Sequence, residues 1–211
     1  MMPLILVAAA AAVVALLLLG ERPGNLRAKW AFKPVASTLF IVAALMQGPQ
    51  LRYDWLIVAG LALSAVGDLA LIPRDRRYFL AGLVAFLLSH LAYTLAFAQQ
   101  ADPLSLPPAY LLFIGLASLA LYLYFLPYLG RMKAPVAAYV AVITVMLAAA
   151  WAVAVDSPGR FGWQVAAGAT LFYLSDITVA RSRFVPGAGF ANRAVGLPLY
   201  YAAQFLLALS I

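Results

Sequence analysis

The sequence predicts an all-α membrane protein, a polytopic bundle of about eight transmembrane helices with both termini outside. Of the 211 residues, 66% are hydrophobic and 10% are charged, whereas soluble domains are about 45–50% apolar and about 25% charged. The apolar residues form runs of the length that a bilayer requires, roughly 20 residues each. The number of basic residues also alternates from one loop to the next.

Eight apolar segments follow one another along the chain, separated by short stretches rich in Gly and Pro. Their predicted bounds are 3–19, 32–47, 54–72, 78–99, 108–129, 134–154, 161–181 and 191–210. Helices satisfy their own backbone hydrogen bonds in lipid, and the intervening loops are too short for a soluble domain. Residues 1–211 are therefore expected to form a single transmembrane domain, inserted in the cell membrane if the source is bacterial.

The distribution of Lys and Arg predicts the orientation of the segments. The loops after segments one, three, five and seven hold twelve of the fourteen basic residues, and the even loops hold only Arg52 and Arg160. Basic loops stay on the cytoplasmic side. The first basic residue, Arg22, follows segment one, as in a retained helix and unlike a cleaved signal peptide. This distribution accounts for the net charge of +7 without a nucleic acid partner.

Two aspartates lie inside apolar segments that run in the same direction. Asp68 is six residues before Arg74, and Asp176 is five residues before Arg181, so each lies roughly 7–9 Å from its first basic flank. An Asp at a helix centre costs about 2.5–3.5 kcal/mol, and two at one depth predict a shared interior cavity. Two like charges there favour one protonated and one ionised carboxyl, an acid and a base. The alternative is that each pairs with a nearby Arg or caps a helix.

His90 is the only histidine of the chain. Gly82, Phe86, His90 and Tyr93 are spaced by four, four and three residues, which predicts that they share one helical face. His90 is either a hydrogen-bonded structural residue or a group at the cavity. One His and no Cys exclude zinc centres built from three His or several Cys. A site made by the two aspartates and His90 stays open, but we expect no metal and no other cofactor.

Several polar residues accompany the aspartates. Ser64 and Ser175 are expected to form hydrogen bonds, because no strand–turn–helix elbow for a serine nucleophile is present. Lys33 precedes Pro34, which suits a first helical turn. Lys33, like Asn192 and Arg193, is expected at the cytoplasmic rim, either as a topology determinant or in contact with a lipid phosphate.

A set of short motifs, in order along the chain, resembles the YhhN/TMEM86 family of multi-spanning membrane proteins. The motifs are KP at 33–34, GD at 67–68, FLAGLVAFLLSHLAY at 79–93, a Pro and a Tyr at 135 and 139, GATLFYLSD at 168–176 and YYAAQ at 200–204. Each motif alone is weakly specific, whereas the ordered set covers most of the chain.

Because characterised members of that family are lysoplasmalogenases, the resemblance implies hydrolysis of the vinyl ether bond of a lysoplasmalogen. The products would be a fatty aldehyde and a glycerophospho-ethanolamine or -choline. The expected partners are a lysophospholipid substrate and membrane lipids. The expected catalytic residues are Asp68, Asp176 and His90. The residues expected to bind the substrate are Lys33, Ser64, Tyr93, Ser175, Asn192, Tyr200 and Gln204.

Two other functions remain open at this point. Proton-coupled carriers also use intramembrane carboxylates and histidines. The two aspartates stand 108 residues apart, as do Tyr93 and Tyr201, so the halves of the chain could be repeats such as carriers contain. An intramembrane lysolipid ester hydrolase would use the same lipid but release a fatty acid.

Reporter fusions test the predicted orientation. We expect fusions at both termini to report an outside position, and insertions beside Arg76 and Arg183 to report a cytoplasmic one, because basic loops are retained inside. A cytoplasmic signal from the C-terminal fusion would contradict both the orientation and the common depth of the aspartates.

Overall fold

The computed structural model describes residues 2–20, 25–73 and 75–211. These residues form eight α-helices and three single 3-10 turns, and they contain no strand. The helices are α1 Met2–Gly20, α2 Leu26–Leu45, α3 Arg52–Ala70, α4 Arg76–Phe97, α5 Pro108–Phe125, α6 Lys133–Asp156, α7 Arg160–Phe184 and α8 Phe190–Ala208, and the 3-10 turns are Pro103–Ser105, Leu126–Tyr128 and Gly130–Met132. The all-α class is confirmed. Arg22 and Arg74, used above to orient the chain, lie outside the described residues.

Five helical stretches of the described chain are long and apolar enough to cross a bilayer. They are Leu26–Leu45, Arg52–Ala70, Arg76–Phe97, Pro108–Tyr128 and Gly130–Asp156. Large apolar side chains remain on the outer surface of these helices, including Phe113 of α5 with 73% of its area exposed. Such a surface fits a lipid surrounding. The count of eight transmembrane spans, the outside position of the termini and the single domain stay predictions.

The second helix begins six residues before the predicted start of segment two. Asn25 caps it, because its Oδ1 accepts a hydrogen bond of 3.1 Å from the backbone N–H of Ala28. Pro34 therefore lies inside α2 and not in its first turn. It offers no N–H to the carbonyl of Trp30. Lys33 is consequently a buried helical residue and not part of a loop.

Helices α3 and α4 form a tightly packed antiparallel hairpin. Four facing pairs fix its register: Gly60 with Tyr93, Ser64 with Ser89, Gly67 with Phe86, and Leu71 with Gly82. A Cβ atom at residue 60 would lie 2.3 Å from the ring of Tyr93, so the glycine is needed for this approach. On α7, Phe172 contacts the rings of Phe86, His90 and Tyr93, which agrees with their predicted common face.

Several helix contacts in the second half of the chain correspond to contacts in the first. Helices α7 and α8 form the other tight antiparallel hairpin, in which Gly196 meets the side chain of Thr178 and Gly168 meets Leu207. Within each half the second helix packs on the third, and between the halves α4 packs on α6 as α8 packs on α2. Among the described residues, the contact of α1 with α8 has no counterpart of similar extent between α5 and α4, so a repeat offset by 108 residues stays a prediction.

Candidate functional site

One cavity of about 250 Å³, here called the main cavity, opens at one end of the bundle. This is the end at which α2, α4, α6 and α8 begin and α3, α5 and α7 finish. Both aspartates that the sequence singled out, Asp68 of α3 and Asp176 of α7, line it. Most of the remaining lining is apolar, and Lys29 and Arg193 add positive charge to it.

Asp68 is held by a lysine and a serine from the neighbouring helix α2. The Nζ of Lys33 lies 3.1 Å from Oδ1, and the hydroxyl of Ser37 donates a hydrogen bond of 2.7 Å to Oδ2. The two charged side chains are only 11% and 4% exposed. Lys33 and Ser37 are four residues apart on one face of α2. Both carboxylate oxygens of Asp68 therefore have a donor, and a cation compensates the charge.

Asp176 has different partners. The hydroxyl of Tyr139 on α6 donates a hydrogen bond of 2.5 Å to Oδ2. The Nε2 of His90 lies 3.6 Å from the same oxygen, which is too long for a hydrogen bond. His90 is thus a basic side chain within ion-pair distance of this carboxyl group. The side chain of Asp176 is 15% exposed, and the residue lines the main cavity.

His90 lies behind Asp176, fully buried and surrounded by aromatic rings. It meets the ring of Tyr139 edge-on at 5.2 Å between centroids and lies 4.6 Å from the ring of Phe172. Neither imidazole nitrogen has a hydrogen-bond partner among the described residues. His90 itself is not part of the cavity lining. The structure therefore brings this predicted catalytic residue to Asp176 but not to the cavity surface.

The remaining predicted residues fall into two groups. Lys33, Ser175 and Tyr200 line the main cavity with the aspartates. Ser175 donates a hydrogen bond of 3.2 Å to the carbonyl of Gly196, which joins α7 to α8.

The second group forms hydrogen bonds away from the cavity lining. Ser64 is bonded to Ser89 at 2.7 Å, and Tyr93 donates to the Oε1 of Gln204 at 2.7 Å. The Nδ2 of Asn192 donates to the backbone oxygen of Thr178 at 2.5 Å. These residues support the helices that carry the site, and any contact of theirs with a substrate stays a prediction.

Sequence reasoning did not single out Tyr139, Ser37 or Lys29. Tyr139 belongs to one of the motifs quoted above, which was the available signal. The spacing of four residues between Lys33 and Ser37 was another. The spacing indicates that Lys33 and Ser37 share one face of α2, but it does not indicate that this face contacts Asp68.

The residues between 2 and 211 that the structure describes include no group of three His, Asp or Glu side chains close enough to hold a metal ion. The chain contains no Cys. Asp176 and His90 meet each other, while Asp68 is engaged by Lys33. The arrangement thus offers an anion next to a cation, and a second carboxyl next to a phenol and an imidazole.

Comparison with known proteins identifies the family. The model of the YhhN family matches residues 28–211, and the chain belongs to this family. It is 36% identical over 191 residues to lysoplasmalogenase TMEM86B of Rattus norvegicus, covering 90% of this chain and 75% of the relative. It is 33% identical over 196 residues to a lysoplasmalogenase of Mycobacterium bovis, covering 89% and 71%.

The Escherichia coli O157:H7 membrane protein YhhN, whose name describes it as uncharacterized, is 30% identical over 185 residues, covering 87% of this chain and 86% of the relative. No solved structure matches the chain. The apolar helices and these membrane relatives together show that the chain is a multi-pass integral membrane protein.

Thermal unfolding of variants in detergent tests the ion pair independently of any activity. We expect Lys33→Met and Asp68→Asn each to lower the free energy of unfolding by about 3–5 kcal/mol, because each leaves one buried charge without its partner. The double variant should be more stable than the sum of the two effects predicts. Arg27→Met, at an exposed position in the first turn of α2, is the control and should cost less than about 1 kcal/mol. Additive effects of the two single changes would contradict the pairing.

Proposed function

We propose that this protein hydrolyses the vinyl ether bond of lysoplasmalogens to a fatty aldehyde and a glycerophospho-ethanolamine or -choline, with Asp176 as the proton donor. An enzyme of this kind is supported by relatives named lysoplasmalogenase, which are 33% and 36% identical over most of the chain. The observation that carries the assignment of roles is that two carboxyl groups line one cavity with different partners.

Asp176 suits the role of the acid. Its neighbours at the carboxyl group include a phenol and an imidazole, and Lys33 is engaged with Asp68. The side chain of Asp176 is only 15% exposed, and burial favours the neutral form of a carboxyl group over an isolated charge. Tyr139 donates to Oδ2, which leaves Oδ1 to carry the proton.

Asp68 suits the role of a fixed anion. Lys33 compensates its charge and Ser37 donates to its second oxygen, and such contacts to a charged group are stronger than neutral hydrogen bonds. The cation that forms during vinyl ether cleavage is stabilised by a negative charge already in place. Because both oxygens of Asp68 already accept hydrogen bonds, we assign the proton of the attacking water to Asp176 instead.

The reaction then balances with one water and no other reactant. Asp176 transfers its proton to the vinyl carbon that is not bonded to oxygen, and an oxocarbenium ion forms. Water adds to this cation and returns a proton to Asp176, which gives a hemiacetal. The hemiacetal breaks its bond to the glycerol oxygen as the hydroxyl proton moves to that oxygen by way of the carboxyl group. Aldehyde and glycerophospho-alcohol leave, and both aspartates regain their starting states.

The charge distribution around the cavity fits an amphipathic substrate. Lys29 on the first turn of α2 and Arg193 on the first turn of α8 belong to the lining near the helix ends. Lys and Arg are the usual side chains that bind phosphate, and these two are the phosphate-binding candidates here, because Lys33 is engaged with Asp68. Ile143 and Phe86, from deeper in α6 and α4, provide an apolar lining. A lysolipid with its phosphate at the helix ends would present its vinyl ether between these regions.

Product analysis in heavy water tests the proposed reaction. Purified protein is incubated in D2O with a lysoplasmalogen and, separately, with an acyl lysophospholipid. We expect aldehyde from the first lipid only, with one deuterium on the carbon next to the carbonyl, because that carbon receives the solvent-exchangeable proton of Asp176. Fatty acid from the acyl lipid would favour an ester hydrolase. Aldehyde without deuterium would contradict protonation at carbon.

The same assay on variants assigns the carboxyl groups. We expect Asp176→Asn and Asp68→Asn each to lower turnover by about 10²–10⁴-fold, since one loses the proton donor and the other the fixed anion. Asp156→Asn is the matched control, because Asp156 is exposed and bonded to Ser105 instead. Near-parental turnover in folded Asp176→Asn protein would show that the carboxyl group is structural.

A further inference from the structure

We propose that the hydrocarbon chain of the substrate leaves the main cavity between α5 and α6 and lies in a groove on the outer surface of these two helices. The groove has a volume of about 280 Å³. Gly115 and Leu119 of α5 form one wall, and Ala137 and Ala141 of α6 form the other. The inference rests on the proposed function, because it assigns a place to another part of the same substrate.

The groove and the main cavity share a wall. Tyr122 of α5 and Val140 of α6 line both spaces. Ser118, which lines the groove, is hydrogen-bonded at 2.9 Å to Tyr173, which lines the cavity. The side chains of Tyr122 and Val140 therefore separate the two spaces at this height.

The main cavity is small for a whole lysolipid. Its volume is about 250 Å³, whereas pockets that bury drug-sized ligands measure about 300–1,000 Å³. A lysolipid carries a head group, a glycerol and a long hydrocarbon chain. With the reacting bond at the aspartates, the cavity cannot enclose the whole molecule. Helix α5 is the least buried of the five stretches that are long and apolar enough to cross a bilayer, and it forms part of the cavity wall.

The surface of the groove suits hydrocarbon. Its hydroxyl groups are already bonded inside the protein, since Ser118 is bonded to Tyr173 and Thr144 donates to the carbonyl of Val140 at 2.6 Å. The remaining surface is formed mainly by apolar side chains and by Gly115. A Cβ atom at Gly115 would meet no atom within 4 Å, so the space in front of this residue is open and a larger side chain can enter it without strain.

Binding of lysolipids to a groove-filling variant tests the proposal without requiring turnover. The probes are non-hydrolysable alkyl ether lysophospholipids with one long or one short chain, measured by displacement of a fluorescent lysolipid. In Gly115→Phe we expect the Kd of the long-chain probe to rise about tenfold, the effect of removing about two methylene groups from contact. The short-chain probe should keep its Kd. Leu116→Phe is the control, because Leu116 is 56% exposed and does not line the groove.

A second pair of variants approaches the groove from its other wall. Ala141→Leu should show the same selective loss for the long chain, and Ala138→Leu, on an exposed residue outside the groove, should not. Equal losses for both chain lengths, or unchanged affinity in both groove variants, would overturn the proposal. A change of oligomeric state without a change in chain-length preference would assign the groove to a second copy of the chain and overturn it too.

The two proposals fail in different ways. If the parent protein binds the long-chain probe through the groove but releases no aldehyde from lysoplasmalogen, the proposed function is wrong and the lipid subsite stands. If the parent releases aldehyde and the groove variants keep the parental chain-length preference, the function stands and the assignment of the groove is wrong.

Discussion

The ion pair between Lys33 and Asp68 is the interaction on which the site depends. A charged side chain inside a membrane is costly and is retained when it is paired or functional. The pair joins α2 to α3 across 3.1 Å and is almost fully buried. It also engages Lys33, while Asp176 contacts Tyr139 and His90. In the proposed mechanism, the unequal roles of the two carboxyl groups follow from these different partners.

The helices that carry the site are held in place by close packing at small residues. Gly60 and Gly67 bring α3 against the rings of α4, and Gly168 and Gly196 bring α7 against α8. Transmembrane helices commonly pack at such residues, because lipid provides no hydrophobic force between them. Asp68 and Asp176 are therefore carried by two tight hairpins, while α5 is packed more loosely and borders the groove. A lipid substrate is expected to use this loosely packed side.

Much of the architecture could be predicted from the sequence, because a bilayer requires long apolar segments and these are easily recognised in a sequence. Apolar runs and basic loops gave eight segments, and each overlaps one helix. The equal depth of Asp68 and Asp176 predicted a common cavity, since depth follows from position along a helix. The contacts between neighbouring helices cannot be read from hydropathy in the same way. The hydrogen bond from Tyr139 to Asp176 depends on how α6 packs beside α7, which hydropathy does not encode. Lys33 was expected at the cytoplasmic rim because a cluster of basic residues is typical of a loop. The cap at Asn25 instead starts α2 before these residues, so Lys33 lies inside the helix.

Infrared spectroscopy of the purified protein at neutral pH tests the central claim most directly, because a protonated carboxyl group and a carboxylate absorb at different frequencies. The account predicts a protonated carboxyl band from the membrane interior that is lost in Asp176→Asn and kept in Asp68→Asn, while a carboxylate band is lost in Asp68→Asn. A protonated band that disappears in Asp68→Asn and persists in Asp176→Asn would reverse the two roles. The absence of any protonated carboxyl band in the parent protein would contradict Asp176 as the proton donor.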